Sequence, residues 1–461
     1  MLNIIWLAML VVAVLVAGFT GKLPDVTIGA FEGAEKAVMK VALPLLGVWA
    51  IWLGIMRLAE RSGLVQVLAS ALRPLMRRLF PDVPGDHPAI GAIVMNMAAN
   101  MLGLGNAATP LGLRAMRLLE SLNPRPGVAT NAMCTFLAIN TASIQLLPLT
   151  AIGILTVAGA KGATAIVITA FLATCCAASA GVFSAKVLEK LPAFRLPPLP
   201  PPITDAPIAA AAEGEAIEVE KIEVPPLTAT HRRWLALYFA TFAVMFVILF
   251  APEMCNALLG SLHAGWSVPA PPQDFAGKGT AVRALMSVSL LALPFLLSFF
   301  PLYAALRGVK VYEQFVEGAK EAWGTAQRTI PYLVAMLVAI TMLQKAGVID
   351  LLTRALSPAL SFVGFPAELL PMVLMRPLSG SATQGLFVEI VNRLQDPDNF
   401  ISRLAGTIYG STETTFYVLA VYFGSVSIRQ TRHAVATGLI ADTTAVIAST
   451  IFCTLLFSNR S

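Results

Sequence analysis

At 461 residues, 57% hydrophobic and 13% charged, with a mean hydropathy of +0.76, the chain is too apolar to be solvated as an ordinary globule and belongs in a bilayer. Its formal net charge of +6 is modest and spread along the chain, with no basic and aromatic stripe, which argues against a nucleic-acid surface and suits Lys and Arg in the cytoplasmic loops of a multi-pass membrane protein. No G-x-x-x-x-G-K-S/T loop and no H-E-x-x-H occur, and Cys134, Cys175, Cys176, Cys255 and Cys453 lack metal-ligand spacing. No cofactor and no metal are therefore expected, and energy for any transport would come from an ion gradient or a partner, or the flow is passive.

In chain order, Met1 to Val16 reads as an uncleaved first helix, having no basic leader and no small-residue cleavage site. Val41 to Ala59 is long enough to span. Gly63 to Phe80 alternates apolar residues with Arg73, Arg77 and Arg78, as a helix lying in the interface would. Asp86-His87-Pro88 caps a helix that runs through Asn96 and Asn100, gives way at Gly103-Leu104-Gly105-Asn106 and can restart at Thr109-Pro110. Arg114, Arg117 and Arg125 mark a cytoplasmic edge. Val128 to Leu147 is expected to span despite Asn140, Thr141, Ser143 and Gln145, whose helical spacing turns part of the set one way.

Residues 191–230 change character, with prolines and then glutamates, and form a hydrophilic linker. Trp234 to Phe250 spans, His263 to Lys278 is a loop, and Ala284 to Phe300 spans again, with Pro294 as kink and Pro301 as stop. After charged residues around Glu313 to Glu321, Ile330 to Leu343 opens a second core half, which Ile401 to Gly424 and Ala434 to Phe457 close.

The second half contains the most telling stretch. About a dozen apolar residues climb from Pro366 to meet Arg376, Pro377, Ser379, Gly380, Ser381, Ala382 and Thr383. At roughly 1.5 Å per residue they cover about 18 Å of a core about 30 Å thick, so the polar break sits at membrane depth. Protein or a water-filled cavity must satisfy the backbone groups it frees. Paired breaks of this kind in two halves point to a transporter's substrate site.

The halves also align. Gly63 to Pro74 sets without gaps against Gly347 to Pro358, and Phe315 to Ala319 echoes Phe31 to Ala34. The expected fold is all-α: a polytopic membrane protein of ten to twelve segments with two homologous halves, each holding a broken or re-entrant helical hairpin. Its divisions are an N-terminal helix at 1–30, a first core at 31–190, the linker, extra helices at 231–314 and a second core at 315–461.

Residues 31 to about 188, with MNMAANMLGLGNAATPLG at 95–112, resemble spore maturation protein A. Residues 315–457, with RPLSGSATQG at 376–385, GSTETTFYVLAVYFG at 410–424 and ADTT at 441–444, resemble spore maturation protein B. The chain thus looks like a natural fusion of the two. Both are similar to the Gate, or nucleoside-recognition, group, which resembles parts of concentrative nucleoside transporters and of the ferrous-iron permease. This chain has no counterpart of the permease's GTP-binding domain.

Asn96, Asn100, Asn106, Asn140, Ser143, Gln145, Ser379, Ser381, Thr383, Gln384, Ser411, Thr412 and Thr414 are neutral hydrogen-bonding groups suited to a polyhydroxylated or heterocyclic solute, as are Thr443 and Thr444. Each alone could equally be interhelical glue. Arg376 either holds an anionic group beside the helix restarting near Ser381 or pairs with Glu389, Glu413 or Asp442. Glu413 and Asp442 are the candidates for proton or sodium coupling. Gly406 and Gly410 suggest close helix packing. Two readings stand: a carrier of a small polar or anionic solute, a homo-oligomer being an option, and a non-transporting envelope-assembly or sensory protein. No nucleophile with its base appears, which disfavours an enzyme.

Overall fold

Hydropathy dictates helices, and helices are what form. The computed structural model describes residues 2–85, 87–103, 105–194, 225–261, 279–349, 351, 354 and 365–457, except for the side chains of 2–5, 105–107, 258–261 and 328. The predicted linker, the loop after residue 262 and most of the second repeat copy, 347–358, lie largely outside the described residues. Among those described there is no strand, only an isolated bridge between Val128 and Gln430.

Among the described residues six helices are long and apolar enough to cross a membrane, so this is a multi-pass membrane protein: Leu23–Arg61, Ala163–Leu188, Ala229–Phe250, Thr280–Leu306, Val311–Lys345 and Ala434–Phe457. In chain order the elements begin with α1 (Leu2–Thr20), α2 (Leu23–Glu35), a π-helix (Lys36–Ala42) and α3 (Leu43–Arg61). The last three form one continuous rod. Pro44 lies just beyond the π-helix, where Leu43 N donates to Val38 O, five residues back. That wider turn gives the proline ring the room an α-helix would deny it.

Next come α4 (Leu64–Leu79), α5 (Pro88–Met101), α6 (Gly105–Glu120), α7 (Asn131–Ala142), α8 (Leu149–Val157) and α9 (Ile166–Leu188). After the linker follow α10 (Ala229–Phe250), α11 (Pro252–Ser261), α12 (Thr280–Leu306) and α13 (Val311–Lys345). The chain closes with α14 (Leu370–Met375), α15 (Gly380–Leu394), α16 (Phe400–Ser411), α17 (Thr415–Ser425) and α18 (Ala434–Phe457).

Several sequence expectations are corrected here. Pro301 does not stop α12, which runs through it and Pro294. The charged residues 313–321 are the first turns of α13 and not a separate prelude to Ile330, and α13 continues through Pro331. Val128 to Leu147 and Ile401 to Gly424 are not single spans. The first ends at Ala142 and the second at Ser411, and each resumes as a further helix. Polar residues in the middle of an apolar segment mark an interruption in both cases.

No residue of α10 is buried, as expected of an apolar helix facing lipid acyl chains. It is fastened by aromatic packing of Tyr238 and Phe239 on Phe295 and Phe299 of α12, and Tyr238 OH donates to Phe295 O at 2.7 Å.

Two long antiparallel rods, α2–π–α3 and α13, pack backbone to backbone. A Cβ on Gly33 would stand 2.7 Å from Leu337 O, and one on Gly318 would stand 2.5 Å from Leu53 O. In the register that sets Gly63 against Gly347, residue 337 corresponds to 53 and residue 318 to 34. The two contacts therefore correspond to within one residue, since 318 falls on 34 and the contact is made by Gly33. Arg57 adds an ion pair to Glu321 at 3.3 Å, and Lys345 one to Glu32 at 3.1 Å.

Candidate functional site at four helix breaks

Four interruptions converge in the middle of the fold. The first lies between α5 and α6, the second between α7 and α8, the third between α14 and α15, and the fourth between α16 and α17. Each has a local cause. Gly103, at φ +76°, turns the chain after α5. Ser143, at φ +41°, ends α7, and Pro148 precedes α8. Pro377 follows α14, and Ser379 caps α15 by accepting from Ala382 N at 3.2 Å. Thr412 and Thr414 adopt extended backbone around Glu413.

The first helix is capped by His87, whose Nδ1 accepts from Ala89 N at 3.2 Å. Asp86 lies outside the described residues. The helix after the first break restarts at Gly105, earlier than Thr109-Pro110, and Pro110 is carried inside α6.

Backbone groups orphaned at one break find partners at another. Leu146 N, in the second, donates to Met101 O, at the end of α5, at 3.0 Å. Glu413 N, in the fourth, donates to Thr141 O, near the end of α7, at 3.1 Å, and Phe416 N donates to Pro377 O, in the third, at 3.0 Å. Thr174 Oγ1, from α9, donates to Ala142 O at 2.6 Å. This mutual satisfaction is what allows irregular backbone deep in an apolar bundle.

The second and fourth breaks belong to broken helices that lie side by side in opposite directions. At one end Ala129 N donates to Gln430 O at 3.0 Å. At the other, Lys161 N and Gly162 N donate to Asp398 Oδ2 and Oδ1 at 2.8 and 3.0 Å. Between them Gly410 lies against Pro148, while Gly406 packs on Leu155, Ile166 and Phe387, so this glycine pair serves close packing. At Asp398 burial works to raise the carboxyl's pKa, but the two N–H bonds and the Arg403 guanidinium outweigh it and hold it below the usual 3.8.

Arg376 does not form the ion pair that was one of its two expected roles. Among the described residues it has no carboxylate within pairing distance: Glu389 answers Arg393 at 3.9 Å, and Asp442 accepts from Thr415 Oγ1 at 2.6 Å. The buried guanidinium instead donates to Thr412 Oγ1 at 2.8 Å, to Tyr409 O at 2.9 Å and to Thr412 O, and stacks 4.5 Å over the Tyr409 ring. It is thus a cationic cap on the carbonyl end of α16, where the helix dipole is negative. Nη1, which takes none of these bonds, lies 3.7 Å from where a Cβ on Gly380 would stand, beside the start of α15, where Ser379 caps Ala382 N.

The asparagines form a second cluster. Asn96 Nδ2 donates to Ala108 O at 2.8 Å and so ties α5 to α6. Asn100 Nδ2 donates to Asn140 Oδ1 at 3.0 Å, and Tyr422 OH reaches the same oxygen at 3.5 Å. Gln145 Nε2 donates to Ser143 Oγ at 3.4 Å. From Asn100 the chain of contacts passes through Asn140 and Thr141 to Glu413, Thr412 and Arg376, so both clusters belong to one junction.

Ser381 lies 3.3 Å from Ser379 Oγ, Thr383 Oγ1 donates back to Ser379 O at 2.7 Å, and Thr414 faces Gly380. Ser411 pairs with Ser449 at 3.1 Å. Gln384 Nε2 and Asp442 Oδ1 are buried without a partner, and Glu413 is half-buried with no ion pair among the described residues. The side chain of Asn106 lies outside the described residues. Thr443 and Thr444 do not join the junction, because they bond back to Leu439 O and Ile440 O on the exposed face of α18.

Sequence reasoning missed Tyr409, Tyr422 and Thr174, and it saw Thr415 only as one of the hydroxyls running from Ser411, without a role. A tyrosine three residues before Thr412 was a usable signal for a ring under Arg376; nothing local marked Tyr422 or Thr174. An apolar cavity of about 220 Å³ opens under the first two breaks, lined in part by Met101, Leu102, Leu146 and Leu147. No group of three His, Cys, Asp or Glu able to hold a metal occurs among the described residues.

Just outside α18, His433 is fully buried with neither ring nitrogen bonded, edge-on to Phe194. Burial, then Arg432 and Lys186, push its pKa down from 6.5 to about 4. Because the folded value is depressed, the unfolded chain takes up the proton first, and stability is lost as pH falls from 6.5 toward 4. The unfolding free energy of wild type, followed through its denaturation midpoint, should fall over that window by up to roughly 3 kcal/mol, and that of His433→Leu should be flatter.

Comparison with known proteins gives this arrangement a family. The Gate family, described as nucleoside recognition, matches residues 42–188 and 326–429. Over 172 residues the chain is 45% identical to spore maturation protein B of Bacillus subtilis (strain 168), a match covering 37% of this chain and 96% of that protein. Over 174 residues of a different part it is 44% identical to spore maturation protein A of the same organism, covering 38% of this chain and 88% of that protein. Among solved structures, that of the Alcanivorax borkumensis YdaH transporter aligns over 92% of this chain and 87% of its own, with 13% identity and a TM-score of 0.36. With more than half of its residues inside the two matched segments, this chain belongs to the Gate, or nucleoside-recognition, family.

Proposed function

We propose that the protein binds a small polar or anionic solute at the junction of the four breaks and carries it across the bacterial inner membrane. One observation carries this reading: four interrupted helices meet in the interior, two of them in opposed broken helices side by side, and irregular backbone at that depth is tolerated where it lines a binding site. Opposed repeats of this kind would exchange roles when the site turns from one face of the membrane to the other. Gln384 Nε2 and Arg376 Nη1, with the N–H groups opening α15, offer donors to an acidic or carbonyl oxygen; Asn100, Asn140, Ser143 and Gln145 offer mixed donors and acceptors. Purified protein in proteoliposomes should accumulate a labelled solute from a panel led by nucleosides and small carboxylates. Absence of uptake for every member, with and without proton and sodium gradients, sinks the proposal.

Coupling would fall to Asp442, with Glu413 second. One Asp442 oxygen is held by Thr415 at the start of α17 and the other is a buried acceptor without a donor, a place for a proton or a sodium ion. Asp442→Asn is expected to abolish stimulation by the driving ion, about tenfold or more, while solute still raises the melting temperature. Equal stimulation in wild type and variant would remove Asp442 from the cycle.

A second reading, envelope maturation without translocation, is favoured by the names of the two curated relatives. It predicts that junction variants which fold normally leave a maturation phenotype intact.

A further inference from the structure

Away from the breaks, at the carboxyl ends of α13 and α15, an open cavity of about 640 Å³ lies against the π-helix. Lys36, Lys40 and Arg393 line it together with Gln344 and Asn392, and the single carboxylate, Glu389, is engaged by Arg393 at 3.9 Å. Lys36 and Lys40 have no ion pair among the described residues, although they share one face of one helix. Like charges four residues apart repel, and the one carboxylate of the lining, Glu389, which acts on Lys36 as well as Arg393, offsets only part of three positive charges, so a further anion is favoured.

A second cavity of about 330 Å³ adjoins the first, sharing Lys40, Val41, Val388 and Asn392 with it. Its further lining is apolar, with Leu45, Ile154, Val157 and Val391 among the residues. The pair therefore has a cationic mouth and a hydrocarbon continuation.

We propose that these joined cavities hold an anionic phospholipid, its phosphate between Lys36, Lys40 and Arg393 and one acyl chain along the apolar extension. A basic recess between membrane helices suits a phosphate headgroup. The adjoining apolar space decides for a lipid over a free phosphate, which would leave that space unused. The π-helix is the element that presents both lysines, and the lipid would brace the junction between the two rods against α15. This inference is independent of solute transport.

The test is thermal unfolding of full-length protein in a neutral detergent, with phosphatidylglycerol, phosphatidylcholine of the same chains, or glycerol phosphate added. Phosphatidylglycerol should raise the melting temperature by about 4 °C. The other two should not. Lys36→Gln/Lys40→Gln should lose at least about half of the shift, and Lys36→Arg/Lys40→Arg, which keeps the charge, should retain it. The proposal is overturned if phosphatidylcholine does as well, if glycerol phosphate alone reproduces the shift, or if the glutamine variant responds like wild type.

Discussion

Arg376→Ala is expected to destabilise the folded protein by about 3–5 kcal/mol, the largest single-residue effect in the junction. The loss has a specific composition. Tyr409 O and Thr412 O, at the carbonyl end of α16, would lose their donor inside the bundle, Thr412 Oγ1 would lose a charged partner, and the Tyr409 ring would lose its stacked cation. Hydrogen bonds to a charged group are worth about 1.5–3 kcal/mol each, and a buried cation over a ring about 2 kcal/mol, but they are not additive because one side chain makes them all.

Arg376→Lys would restore the charge without the planar fork and should recover less than half. Unfolding in detergent, followed by tryptophan fluorescence, gives the number. A cost under about 1 kcal/mol for Arg376→Ala would mean that the carbonyls find other donors, and Arg376 would lose its place as the cap that joins the third break to the fourth.

The paired glycine change is expected to be comparable. Gly33→Ala and Gly318→Ala each place a methyl group where Leu337 O and Leu53 O already stand, at 2.7 and 2.5 Å from the added carbon. The obstacle is backbone on both sides, so α13 must separate from α2 at Gly33 and from α3 at Gly318; overpacking of this kind costs about 1–3 kcal/mol per site. Each change should destabilise by at least about 2 kcal/mol. The double variant should cost less than the sum, since the first separation of the rods relieves part of the second clash. A double-variant cycle of melting curves reads this directly. Additive effects would mean that the two contacts relax independently and that the rods do not move as rigid bodies.

Much of this molecule was readable from residue order alone. Hydropathy determined an all-helical membrane protein, because an apolar chain with no water to satisfy its backbone has little choice but helix. The polar runs after Asn100 and Arg376 announced breaks, because a dozen apolar residues are too few to cross. The runs at Asn140 to Gln145 and Ser411 to Thr414 were read as polar faces of intact helices. A hydroxyl-rich stretch looks alike whether the helix continues or stops, and only its neighbours decide which.

Those neighbours are distant in sequence. Arg376 chose carbonyls over Glu413 and Asp442 because α16 ends directly against it, which no local pattern states. Composition and spacing therefore determined the class of fold and the residues that could form a site, through rules that act within a few turns of helix. Which interruptions face each other, which oxygen each donor takes and which cavity the lysines frame were settled by packing between segments far beyond a few helical turns, from Arg376 on Thr412, 36 residues on, to Glu413 on Thr141 in the other half, where a backbone group must find a partner or not be buried at all.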